Sequence, residues 1–191
     1  MKLDIHQRWF WLGCFLEAGQ IGLAAVLARK FGLPLFGSVY WNWRDATIGC
    51  LASLPLFILL LLILRSPWRP LGKIRQFLET AVATILGKWS VAQLAFVSAL
   101  AGVGEELLFR AAIQGGLNKW LGLTPGIIGA SLLFGLCHRV TWAYAFVAGA
   151  MGACLSGLWL LTGNLLTPIL THALYDFLAL IYLARKQSKN R

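Results

Sequence analysis

Six stretches of mostly apolar residues, separated by short polar or basic segments, dictate what this chain can fold into. They run roughly from Trp9 to Leu27, Ala46 to Leu64, Trp89 to Leu117, Pro125 to Cys137, Trp142 to Leu161 and Leu165 to Leu183. A helix that crosses the hydrocarbon core of a bilayer needs about 20 such residues. The fourth stretch is shorter, so it must be tilted, sunk into protein or extended. Composition points the same way: 59% of the 191 residues are hydrophobic and 13% charged, against about 25% charged in a soluble domain. The expected fold is all-α, a polytopic transmembrane helix bundle with about six spanning helices, forming a single integral membrane domain over residues 1–191.

Between the second and third stretches lies SPWRPLGKIRQFLETAVATILGK. Its helical part, Ile74 to Leu86, is too short to cross easily and is read as one interfacial helix. No small-residue cleavage site follows the first apolar stretch, so a removable signal is not expected. No repeat of fixed period is present.

A formal net charge of +10 raises the question of nucleic acid, but the cations flank the apolar stretches. Six spans with both ends on one side would place 12 lysines and arginines on that side and four (Arg29, Lys30, Arg44 and Lys119) on the other. The positive-inside rule then puts both termini in the cytoplasm of a bacterial-type plasma membrane. The expected partner is therefore membrane lipid and not nucleic acid. The four cysteines, Cys14, Cys50, Cys137 and Cys154, all sit in apolar stretches without a CxxC pair. They read as small buried hydrophobes.

The third stretch contains GVGEELLFRAAIQGG, with Glu105, Glu106 and Arg110 inside it. Each charge at a helix centre costs about 2.5–3.5 kcal/mol on the insertion scale, so three cost roughly 8–10. The eleven Val, Leu, Ile and Phe residues between Trp89 and Leu117 return only about 3–7 kcal/mol. These groups must therefore face other helices or water. Arg110 follows Glu106 by four residues, so the two can pair along one face. Glu105 points about 100° away and lacks a local countercharge.

His138, His172 and Asp176 are the other ionisable groups in the later stretches. At about 1.5 Å per residue, Glu105, Arg110, His138, His172 and Asp176 all fall roughly 10–20 Å below one membrane face. A shared depth on three helices points to one intramembrane polar site. His172 and Asp176 are four apart, on one helix face. Ala145, Gly149, Ala153 and Gly157 form a small-residue stripe that permits close helix approach.

EELLFR fits an EExxxR pattern, FGLCH an FxxxH pattern and HALYD an HxxxN/D pattern. In that order, in successive membrane helices, they resemble the CPBP family, which includes the type II CAAX prenyl endopeptidases and abortive-infection-like proteins. The resemblance spans roughly residues 93–176 and implies a protease core there. It implies hydrolysis of a peptide bond in a hydrophobic, membrane-associated and possibly prenylated peptide. Glu105 and His138 would activate water, His172 and Asp176 would stabilise the oxyanion, and Glu106 and Arg110 would organise the pocket. Asp176 stands where many members carry asparagine. The resemblance admits zinc, which His138, His172 and Glu105 would hold, but no HExxH is present and the reading favoured here needs no cofactor. Two other classes would also place charges in a membrane: a proton or ion transporter, and a non-catalytic scaffold for hydrophobic peptides.

Overall fold

The computed structural model describes residues 4–189, and every regular element among the described residues is helical. Helix α1 spans Ile5–Phe31 and α2 Trp43–Arg65. Helix α3 is a continuous helical rod made of Arg69–Phe77, a π turn at Leu78–Val82 and a last turn at Ala83–Leu86. Helix α4 covers Val91–Leu121, with a π-helical stretch at Glu106–Gln114. Helices α5, α6 and α7 cover Leu123–Cys137, Trp142–Thr162 and Leu166–Lys189.

Helices α1, α2, α4, α6 and α7 are long and apolar enough to cross a membrane. The expectation of about six spans resolves into these five and the shorter α5. At 1.5 Å per residue, the 15 residues of α5 cover about 22 Å. That is shorter than the hydrocarbon core of about 30 Å, and the helix ends at Cys137, just before His138. The interfacial segment also differs in extent. Its helix begins at Arg69 rather than near Ile74, because Pro70 sits in the first turn, where no amide hydrogen is needed.

Helix α4 is the centre of the bundle. Some 56% of its most apolar window is buried, compared with 17–39% in the other four spans. Glycines set the approach of its neighbours. A Cβ on Gly102 would meet Ala173 of α7 at 2.8 Å, and one on Gly104 would meet the Glu17 carbonyl of α1 at 2.7 Å. Both lie well inside ordinary contact, so α1 and α7 pack on the glycine faces of α4. The small-residue stripe on α6 is used only in part. Ala145 and Gly149 seat against Gly135 of α5, whereas Ala153 is exposed and Gly157 has nothing nearby.

Both ends of the bundle are tied by polar contacts. At one end, the Trp89 indole donates to the His6 carbonyl, and Lys186 reaches Glu79 at 2.6 Å. At the other, Asn164 is fully buried and donates to the Tyr40 carbonyl at 2.8 Å and to Asp45 at 3.0 Å. Thr171 continues this seam by donating to the Gly49 carbonyl. These bonds fix α7 against α2 and thereby set the height of His172. Replacing Asn164 with Ala leaves the Asp45 carboxylate unpaired. The expected cost is about 1–3 kcal/mol, read as a lower thermal midpoint of the purified protein, and an unchanged midpoint would refute the role given to this clamp.

Candidate active site

The six candidate residues converge. Glu105 closes the α-helical part of α4, and Glu106 opens its π-helical stretch. A π turn carries i→i+5 bonds and is frequent at functional sites. Here every residue from Glu106 to Ala112 is buried, as is Gln114. Protein surrounds this part of α4 on all sides. That is how a chain tolerates two glutamates and an arginine at membrane depth.

Glu106 has two partners. One carboxylate oxygen lies 3.2 Å from Arg110 Nε, and the other lies 2.9 Å from His172 Nδ1. The expected pairing with Arg110 is present, but the link to α7 was not legible from spacing. Arg110 in turn donates to the Gly152 carbonyl of α6 at 3.1 Å, and its guanidinium lies 4.6 Å from the Phe134 ring centroid. Four helices thus meet at one buried charge cluster.

Glu105 is buried, yet its Oε2 has no hydrogen-bond partner. Two imidazoles face that oxygen: His138 Nε2 at 3.5 Å and His172 Nε2 at 3.9 Å. Neither is at bonding distance. His138 follows the last residue of α5, and its Nδ1 lies 2.8 Å from the Phe134 carbonyl. A carbonyl only accepts, so Nδ1 carries the hydrogen. Asp176 lies one turn beyond His172, with Oδ2 at 3.6 Å from His172 Nε2. It therefore flanks the same ring nitrogen that faces Glu105, while Glu106 takes Nδ1.

Phe134 had been read only as part of a motif. Its ring stacks on His138 at 4.4 Å, meets His172 edge-on at 6.0 Å and carries Arg110 on its face. It is the apolar wall that spaces the two imidazoles. The sequence signal was its place one turn before His138. Gly152 was missed as well. It supplies the carbonyl that anchors Arg110, and a Cβ there would crowd Arg110, Phe134 and Ser131 at 3.4 Å.

Glu105, His138, His172 and Asp176 line one cavity of about 210 Å³. The rest of its wall is largely apolar. It includes Leu60 and Ile63 of α2, Ile74, Phe77 and Leu78 of α3, and Val147 and Met151 of α6. Tyr144 and Tyr175 also line it. The apolar face of α3 therefore roofs the polar cluster. As to zinc, two histidines and a glutamate are a suitable donor set. However, among the described residues no group of three or more His, Cys, Asp and Glu is placed to hold a metal ion.

The helices enclose a carboxylate–imidazole cavity within an apolar bundle, and comparison with known families bears on what such a cavity is for. The model of the family described as "Type II CAAX prenyl endopeptidase Rce1-like" matches residues 87–178, a little under half of the chain. It agrees with the resemblance carried by the three motifs: over these residues the chain is similar to that family of membrane proteases. No curated protein and no solved structure matches the chain.

Glu105 and Glu106 differ in what they hold up. Glu106→Gln leaves Arg110 without its carboxylate in a dry site and weakens the tie to His172. The expected loss is about 3–5 kcal/mol, the range for breaking one side of a buried pair. Glu105→Gln breaks no bonded contact and should stay within about 1 kcal/mol of wild type. Thermal or denaturant unfolding of the two purified variants checks this, and equal stability would remove the distinction.

Proposed function

We propose that the chain is an intramembrane endopeptidase in which Glu105 and His138 activate a water molecule for attack on a peptide bond. The observation that carries this reading is the unpartnered Glu105 Oε2 facing His138 Nε2 at 3.5 Å. With Nδ1–H given to Phe134, a neutral His138 presents a lone pair to a carboxylate oxygen. Two acceptors so placed call for a donor between them. A water about 2.8 Å from each supplies both hydrogens and is thereby aimed into the cavity.

The reaction then balances simply. The water oxygen bonds to the substrate carbonyl carbon while its proton passes to Glu105. The carbonyl oxygen becomes an oxyanion. Glu105 returns the proton to the peptide nitrogen as the carbon–nitrogen bond breaks. His172 donates to the oxyanion from Nε2, with Nδ1 bound to Glu106. Donation from both nitrogens requires the doubly protonated ring, and Glu105, Glu106 and Asp176 are the carboxylates around it. Arg110 holds Glu106 in place. No step is routed through a metal.

The substrate class follows from the cavity wall. A hydrophobic segment fits between α2, α3, α6 and α7, and a lipidated C-terminal peptide of the kind named by the matching family is the leading candidate. Glu105→Gln should abolish cleavage of a hydrophobic reporter peptide while the protein still purifies. Dialysis against chelator should leave wild-type cleavage intact. Wild-type rates in the Gln variant would sink the glutamate mechanism, and activity lost with chelator and restored by zinc would replace it with a metal one.

Asp176 gives a finer test. It faces His172 Nε2 at 3.6 Å and lines the cavity, so it acts on the oxyanion side of the ring. Asparagine keeps the shape and presents an amide N–H to the oxyanion in place of the countercharge, so Asp176→Asn should retain substantial activity. Asp176→Ala should lose roughly 10²–10³ in rate, the scale for one oxyanion donor. An Ala variant as fast as wild type would make Asp176 a packing residue.

A further inference from the structure

The chain has seven acidic residues, and among the described residues none of them ion-pairs with Arg69, Lys73 or Arg139, although Glu79 lines a neighbouring cleft with Arg69 and Lys73. Asp4 lies 4.0 Å from Lys88, Glu79 pairs with Lys186, and Asp45 bonds Asn164. Glu105, Glu106 and Asp176 belong to the buried cluster. The seventh, Glu17, accepts from Gln20 at 2.6 Å within α1. None is left for Arg69, Lys73 and Arg139. These three cations line one cleft of about 680 Å³ between α3 and the turn joining α5 to α6. Arg139 stands over the Trp142 ring at 4.8 Å, and none of the three has a carboxylate partner among the described residues. Cations brought together from two elements without a counterion call for an anion between them.

Trp142 also lines a second feature, an apolar groove of about 500 Å³ between α5 and α6. Leu132, Leu136 and Phe146 form its sides and are 62%, 50% and 79% exposed. The groove faces outward, where lipid is the surrounding medium, and it shares no residue with the cavity that holds Glu105. A basic cleft that continues into an apolar groove fits one kind of occupant, a molecule with an anionic head and a hydrocarbon tail.

We propose that this is a binding site for one anionic phospholipid, its phosphate held by Arg69, Lys73 and Arg139 and an acyl chain laid in the α5–α6 groove. Each basic side chain near an anionic headgroup contributes favourably, and bilayer lipid supplies the tail without further cost. The bound lipid joins α3 to the turn that follows His138. It therefore clamps the helix whose opposite face roofs the cavity, at Ile74, Phe77 and Leu78.

The test uses the full chain purified in a neutral detergent. Native mass spectrometry is run with equimolar phosphatidylglycerol and phosphatidylcholine of matched chains. Wild type should retain one phosphatidylglycerol with at least about tenfold preference. The preference should disappear in Arg69→Gln/Lys73→Gln/Arg139→Gln, and the Arg139→Gln single variant serves if the triple variant does not fold. The conservative Arg69→Lys should keep it. Millimolar inorganic phosphate should not displace the lipid, because phosphate lacks the tail. Equal retention of both lipids, an undiminished preference in the neutralised variants, or displacement by phosphate alone would each overturn the assignment. Because the readout is lipid retention, it stands apart from any result on cleavage.

Discussion

The Glu106 carboxylate is the contact on which the rest of the bundle depends. One oxygen faces Arg110 on its own helix, and the other takes His172 from α7. Arg110 then reaches α6 through the Gly152 carbonyl and α5 through the Phe134 ring. A single buried carboxylate therefore fixes the rotation of three helices, α5, α6 and α7, around α4. In lipid there is no hydrophobic force to hold helices together, and packing and interhelical polar contacts take its place. The close approaches at Gly102 and Gly104 bring the helices near enough for these contacts to form. Remove the charge cluster and the glycine faces still fit, but the inward turn of α7 and α6 then rests on hydrogen bonds such as those of Thr171 and Ser156.

That arrangement resolves the energetic conflict in the sequence. Three charges in one apolar stretch cannot face hydrocarbon, and the structure places them where α4 is enclosed. The π-helical stretch begins at Glu106, directly after Glu105. The two adjacent carboxylates thus sit on either side of a change in helical pitch. Both are buried, but Glu106 has a close partner at each oxygen, Arg110 at 3.2 Å and His172 at 2.9 Å, while Glu105 Oε2 is left facing two imidazoles at 3.5 and 3.9 Å.

Much of this was legible in the sequence, for identifiable reasons. The apolar stretches mark the long helices because lipid imposes a minimum length. The depth of Glu105, His138, His172 and Asp176 follows from helical rise, and these residues do meet. The match over residues 87–178 accords with the motif reading of roughly 93–176. Three things were hidden. The partner of Glu106 on α7 depends on how two helices rotate about their axes, which spacing within one helix does not reveal. The role of Phe134 is a packing role, and its place one turn before His138 marks the residue without showing that its ring spaces the two imidazoles. The small-residue stripe was placed one position off at its far end. Gly152 and Ser156, not Ala153 and Gly157, face the polar groups of α4, with Ser156 donating to Gln114 at 2.7 Å.

Helix α3 connects these observations. Its basic composition and short length mark it as interfacial, and its apolar residues Ile74 and Leu78 are buried against the ends of α2 and α7. They also roof the cavity that contains Glu105. A hydrolase inside a membrane has to admit an apolar peptide and water to the same atom. A roof with one apolar and one basic face stands at the boundary between those two media. The apolar face continues the cavity wall towards hydrocarbon, while the basic face remains at the aqueous end with Arg69 and Lys73. The position of α3 therefore bears on both access routes at once, and its anchoring at Glu79 to Lys186 of α7 ties that position to the helix that carries His172.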